Sequence, residues 1–260
     1  MPSLPQELID LIIDHFHEYE RGALKACSLV CSQWSVRSRK RLFQTVRLHS
    51  KAELERWCMS IRPGPSGPSS LVESLSLIDA GLSMSMADSS RAQLLQQPIL
   101  SDAAPYLGSF SGLRVLEIVG WGMDAVQVPL MLHCVGPSFE TVTHLELRRI
   151  LFDPSAFTTF IGHFPRLDYL SIHSLGRHWG RDGAGDLHHG SPGNVVPTRL
   201  DGEFLASGVP GYLFNSFVLL EPRFRKVSLW GNGWRDFWPP LEACSGSLEE
   251  LGILGWLEGV

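Results

Sequence analysis

One short pattern recurs along most of this chain: apolar-x-x-apolar-x-apolar. It stands at Phe43/Val46/Leu48, Val72/Leu75/Leu77, Leu113/Leu116/Ile118, Val142/Leu145/Leu147, Leu167/Leu170/Ile172, Phe224/Val227/Leu229 and Leu248/Leu251/Ile253. The last two apolar positions of each copy lie two apart, so on a strand both point to one face. The residue between them points the other way. Those residues are Arg47, Ser76, Glu117, Glu146, Ser171, Ser228 and Gly252, all polar or small, as a solvated face requires. Helices are expected between copies, at 51–61, 89–107, 124–135, 155–164 and 237–243. A strand, a turn and a return helix make a unit that cannot bury its apolar side alone, so neighbouring units must stack.

Successive copies begin 29, 41, 29, 25, 57 and 24 residues apart. The gap of 57 reads as two units with one signature lost. Motif and spacing together resemble leucine-rich repeats, which run at roughly 20–29 residues. The resemblance implies an α/β fold over residues 44–260, an irregular solenoid of parallel strands plus helices. The uneven spacing and the missing asparagine depart from the regular repeat, and a non-repetitive α/β domain with several similar strands is the alternative. Residues 173–211 interrupt the pattern with nine glycines and with His173, His178, His188 and His189. This stretch reads as a long surface loop. Its spacing fits no zinc signature, so no metal is assigned, and contact with a partner suits such a loop better. The polar cap that usually ends a solenoid is not visible before Val260, which predicts weak order at that end.

Before the first copy, Leu8, Leu11, Ile12 and Phe16 recur at helical spacing. Pro5 suits the first turn of that helix, and Ser3 followed by Gln6 forms a possible capping box. Gly22 separates a second helix, striped by Leu24, Cys27, Val30 and Cys31. A third runs from Ser32 through Trp34 to Phe43 and exposes Arg37, Arg39, Lys40 and Arg41. So small a unit buries little surface and normally leans on a partner or on the next domain.

The run Leu4-Pro5-Gln6-Glu7-Leu8-Ile9-Asp10-Leu11-Ile12, then Leu24-Lys25-Ala26-Cys27-Ser28-Leu29-Val30-Cys31-Ser32-Gln33-Trp34, then Leu42-Phe43, resembles the F-box, in wording close to that of fungal F-box proteins. The resemblance covers residues 3–43 and sets an F-box boundary at 1–43. It implies that the unit binds the Skp adaptor and, through it, a cullin–RING ubiquitin ligase. By position, the contacts would fall on Leu4, Pro5, Leu8, Ile12, Leu24, Val30 and Trp34. Some of these must instead hold the three helices together.

Composition narrows the remaining classes. Net charge is −5 with 44% apolar residues, which gives no whole-chain electrostatic case for nucleic acid. No stretch approaches the roughly 20 apolar residues that span a bilayer, and the start lacks a signal-peptide pattern. The five cysteines are widely spaced and read as reduced thiols, so an intracellular site, cytoplasm or nucleus, is expected. No G-x-S-x-G, phosphate loop or H-E-x-x-H occurs, so neither enzyme activity nor a cofactor is expected. Trp121, Trp230 and Trp256 each follow a motif strand closely and would line one rim to read a protein substrate, or else pack between repeats. The expected function is that of a substrate receptor; the rival is a repeat scaffold that recruits no ligase.

Overall fold

The structure, a computed structural model, describes residues 4–17, 20–49, 53, 56–57, 67–78, 110–120, 122–123, 139–152, 157, 160–173, 201–207, 223–230 and 238–254. The helices expected at 89–107 and 124–135, most of that at 51–61, and the loop over 174–200 lie outside the described residues.

Three helices open the chain: α1 (Gln6–His15), α2 (Arg21–Cys27) and α3 (Ser32–Gln44). Ile9 and Ile13, four residues apart on α1, bury against Leu24 of α2, with Phe16, Trp34 and Leu42 packed around them. This corrects the apolar stripe expected for α1. Leu8, Leu11 and Ile12 point outward and Ile9 and Ile13 inward, because α1 carries apolar residues on two faces. Pro5 stands at the N-cap, not in the first turn, and its carbonyl accepts from the amides of Leu8 and Ile9. Gln6 donates to Asp10 at 2.8 Å, while Ser3 lies outside the described residues. On α3, Arg39 and Lys40 are exposed, but Arg37 and Arg41 are half-buried and reach back to Asp14 of α1. The hydrogen bond from Arg37 holds the Asp14 carboxyl below its ordinary range.

Helix α3 ends at Gln44 and strand β1 (Thr45–Leu48) begins at the next residue. Seven further strands join β1 in one sheet: β2 (Ser74–Ile78), β3 (Val115–Val119), β5 (His144–Arg148), β7 (Tyr169–His173), β8 (Asp201–Ser207), β9 (Arg223–Trp230) and β10 (Glu250–Leu254). Every neighbouring pair is parallel and the strand order is the chain order. Parallel neighbours need a crossover, so each crossover here advances the sheet by one strand. Two short strands, β4 (Gly122–Met123) and β6 (Leu151–Phe152), pair in a second parallel ribbon. They follow Gly120 and Arg149, which occupy equivalent left-handed positions at φ 78° and 52°.

The fold is thus mixed α/β around a parallel sheet. Register aligns the motif positions: Val46, Leu75, Leu116, Leu145, Leu170, Phe204, Val227 and Leu251 form one column, and Leu48 through Ile253 a second. One continuous core lies behind these columns, with Phe110, Phe139, Phe157, Phe160 and Phe164 filling it. Of the expected helices, Trp238–Ala243 is present as α4, and Phe157, Phe160 and Ile161 are helical and buried in the 155–164 segment.

The reading of 173–211 as one long loop is corrected by β8. Its Phe204 and Ala206 stand in register with Leu170 and Ile172, so they are the lost signature, 34 residues after one copy and 23 before the next. A further recurrence escaped the motif. Phe110, Phe139 and Phe164 each lie three residues before Leu113, Val142 and Leu167 and accept a hydrogen bond from that residue's amide. Phe139 stacks on Phe164 with centroids 4.7 Å apart.

Burial in the columns fades at β10, where Leu251 and Ile253 are 44% and 43% exposed. Leu145→Ala, in the fully buried middle, is expected to cost about 2–5 kcal/mol, and Leu251→Ala about 1 kcal/mol or less. Urea denaturation of the two variants tests this; equal losses would mean that the columns do not carry the sheet.

Candidate functional site

Two surfaces collect the residues singled out from sequence. The first is the outer side of the N-terminal helices. Leu4, Pro5, Leu8, Ile12 and Val30 are all exposed, Leu8 by 48% and Val30 by 64%. Leu24 is buried, and Trp34 is half-buried against Ile9, Ile13 and Leu24. The seven residues therefore divide into five on the surface and two in the unit's own core. Cys27 is buried and Cys31 exposed. Leu11, Leu29 and Val36 extend the apolar exposure, Leu11 being 71% exposed. Three and four residues apart, Leu8, Leu11 and Ile12 share one face of α1. The N-terminal unit thus carries several large apolar side chains outside its own core.

The second surface is the open face of the sheet, opposite the core. Here Arg47, Glu117, Glu146 and Ser228 reach toward solvent as expected, but Ser76 and Ser171 are buried under their neighbours. Ser76 Oγ donates to Glu117 Oε2 at 2.6 Å. Arg148 Nε donates to Glu146 Oε1 at 2.8 Å and lies 3.7 Å from Glu117 Oε1, tying β3 to β5. His173 Nε2 approaches Glu146 Oε1 at 3.8 Å and shares a hydrogen bond of 2.9 Å with Ser171 Oγ. Beside this network His144 stacks on Tyr169, with ring centroids 5.6 Å apart. The network runs across strands β2, β3, β5 and β7. Arg148 was not singled out from sequence, and His173 was read as the start of a glycine- and histidine-rich loop. They sit one residue past the motif, and only the register brings them onto Glu117 and Glu146.

The hydrogen bond to Glu146 raises the Arg148 pKa above its ordinary value. Burial lowers that of His173, and the Arg148 charge adds to the effect while Glu146 opposes it. His173 is therefore mainly neutral at pH 7, and the network sets the carboxylates of Glu117 and Glu146 against the Arg148 guanidinium.

A serine beside a histidine invites a hydrolase reading, which the geometry opposes. Glu146 approaches the same ring nitrogen that meets Ser171, whereas a triad needs its acid on the other nitrogen. Ser171 is also fully buried, out of a substrate's reach. Among the described residues no group of three or more His, Cys, Asp or Glu stands ready to hold a metal ion, and no helix is long and apolar enough to cross a membrane. Of the three rim tryptophans, Trp230 ends β9 half-exposed at 50%. Trp121 and Trp256 lie outside the described residues.

The lowered pKa of His173 has a stability consequence. In the unfolded chain the ring takes a proton near its ordinary 6.5, and in the fold it resists. The unfolded state then binds more protons, so stability falls as pH drops below that value. His173→Gln is expected to lose less melting temperature between pH 7 and 5 than wild type, and superimposable profiles would refute this. Neither a protein-family model nor a curated protein matches this chain.

Proposed function

We propose that this chain is a protein-interaction adaptor. In this reading the N-terminal unit is an F-box that docks on the Skp adaptor of a cullin–RING ubiquitin ligase. The sheet is a leucine-rich-repeat array whose open face, with Trp230 at its rim, holds a protein substrate. The observation that carries the reading is the division of the seven resemblance residues. The helices keep Leu24 and Trp34 for their own small core and leave Leu4, Pro5, Leu8, Ile12 and Val30 outside. A mostly apolar patch with a few large anchors is the composition that a stable protein interface needs. The repeat half of the reading is supported by eight parallel strands in chain order with their motif positions in one register.

On this reading the chain performs no chemistry and acts inside the cell. It raises the effective concentration of the ubiquitin-charged enzyme at the substrate, and proximity drives transfer.

A pull-down with purified Skp adaptor tests the proposal. Wild type is expected to bind. Leu8→Asp with Val30→Asp should lower affinity at least tenfold, about 1.4 kcal/mol, without shifting the melting temperature, because both side chains are exposed. No capture by wild type, or undiminished capture by the double variant, sinks the ligase reading.

A further inference from the structure

The two outer strands of the sheet, β1 and β10, are finished differently. On β1 the apolar columns end covered, with Val46 and Leu48 buried. On β10 they end open, with Leu251 and Ile253 nearly half exposed. Val227 and Leu229, their neighbours on β9, are buried, so the exposure begins at β10 itself. The backbone of β10 is open too. The Glu249 amide donates to the Arg225 carbonyl on the β9 side. Backbone polar groups alternate in direction along a strand, so those of Glu250 and Gly252 turn to the outer edge. No partner meets them there among the described residues.

An edge strand that stays single usually carries a lysine, a proline or a bulge. The centre of β10 is Leu251-Gly252-Ile253, with none of these. The charge beside it, Glu250, is engaged by Lys226 of β9 at 3.3 Å. Whatever covers this end must bring a free strand edge and two apolar side chains two residues apart. Among the described strands of the sheet, those between β1 and β10 are paired on both sides, and β1 has its columns already buried. Only β10 of a second copy supplies both.

We propose that two copies of this chain pair through β10, antiparallel and about a two-fold axis at Gly252. In that register Leu251 of each copy stands opposite Ile253 of the other, and both columns continue across the joint. The Glu250 carboxylates fall at opposite ends of the pair, whereas parallel pairing in register would set them side by side. A two-fold contact is self-complementary and closes on itself, so association stops at the dimer. Both open faces then lie on one side of the pair. The inference does not rest on the adaptor reading.

Sedimentation velocity on the full chain tests the pairing. Wild type is expected to pass from monomer to dimer as its concentration rises through the micromolar range, because a five-residue strand pair is smaller than the roughly 1,600 Å² of a standard interface. Leu251→Lys with Ile253→Lys should raise the dissociation constant at least tenfold. Val36→Lys, at an exposed apolar position of α3, should leave it unchanged. Register is read from Gly252→Cys under mild oxidation. A β-carbon added there meets nothing closer than Ser228 Oγ at 3.5 Å. Directly opposed residues on antiparallel strands have Cα atoms about 5.5 Å apart, within disulfide reach. Covalent dimer is expected in clear excess over wild type, whose Cys31 is the exposed thiol among the described residues. Should the lysine variant melt below wild type, this crosslink decides. A wild type that stays monomeric, a lysine variant that dimerises as before, an equal loss in Val36→Lys, or no excess crosslink from Gly252→Cys would each overturn the proposal.

Discussion

The two apolar columns running through the sheet are the constraint on which everything else in this molecule depends. Side chains on a strand alternate between faces, so a slip of one residue in any pair would exchange the buried and open faces beyond it. Leu145 and Leu147 would then meet water, and Glu146 would enter the core. The polar network of Glu117, Glu146, Arg148 and His173 exists because eight strands hold their register. The same register buries Ser76 and Ser171 on the open face, where each is satisfied by a neighbour, Glu117 in one case and His173 in the other.

Behind the columns, the core is built from phenylalanines spaced along the crossovers. Phe139, Phe160 and Phe164 contact one another edge-on or stacked, and Phe204 stacks on Phe224 at 5.0 Å. Aromatic pairs add about 0.5–1.5 kcal/mol beyond their burial. The two Phe139 pairs tie the crossover before β5 to the one after it. The N-terminal helices have no such depth, since Ile9, Ile13 and Leu24 are their fully buried apolar cluster.

Much of the sheet was legible in the repeated motif. Each of the seven copies falls on a strand, and its last two apolar positions face the core side, because period-two alternation is a direct record of burial. The eighth strand hid for a physical reason. Ala206 stands where the other copies carry a branched residue, and the pairing is irregular at Gly202 and Glu203. A glycine- and histidine-rich stretch before it reads as loop. On α1 the signal was ambiguous. Leu8, Ile9, Leu11, Ile12 and Ile13 permit two apolar faces, and only packing decides that Ile9 and Ile13 go inward. Of the open-face network, the two glutamates were visible as outward positions. Arg148 was not, and His173 was read as loop, because their cross-strand approaches to Glu117 and Glu146 are set by register.

The direct passage from α3 into β1 has a mechanical side. A 13-residue helix is a rod about 20 Å long, and here no joint separates it from the first strand. Lys40 and Gln44 on the rod both hold Glu73, the residue just ahead of β2, and the Glu73 amide in turn donates to the Gln44 carbonyl. Rotating the helices against the sheet would have to break these ties and unwind the last helical turn together. Any body gripped by the helices and any body gripped by the sheet would consequently keep one bearing relative to each other, as two tools clamped to a single shaft.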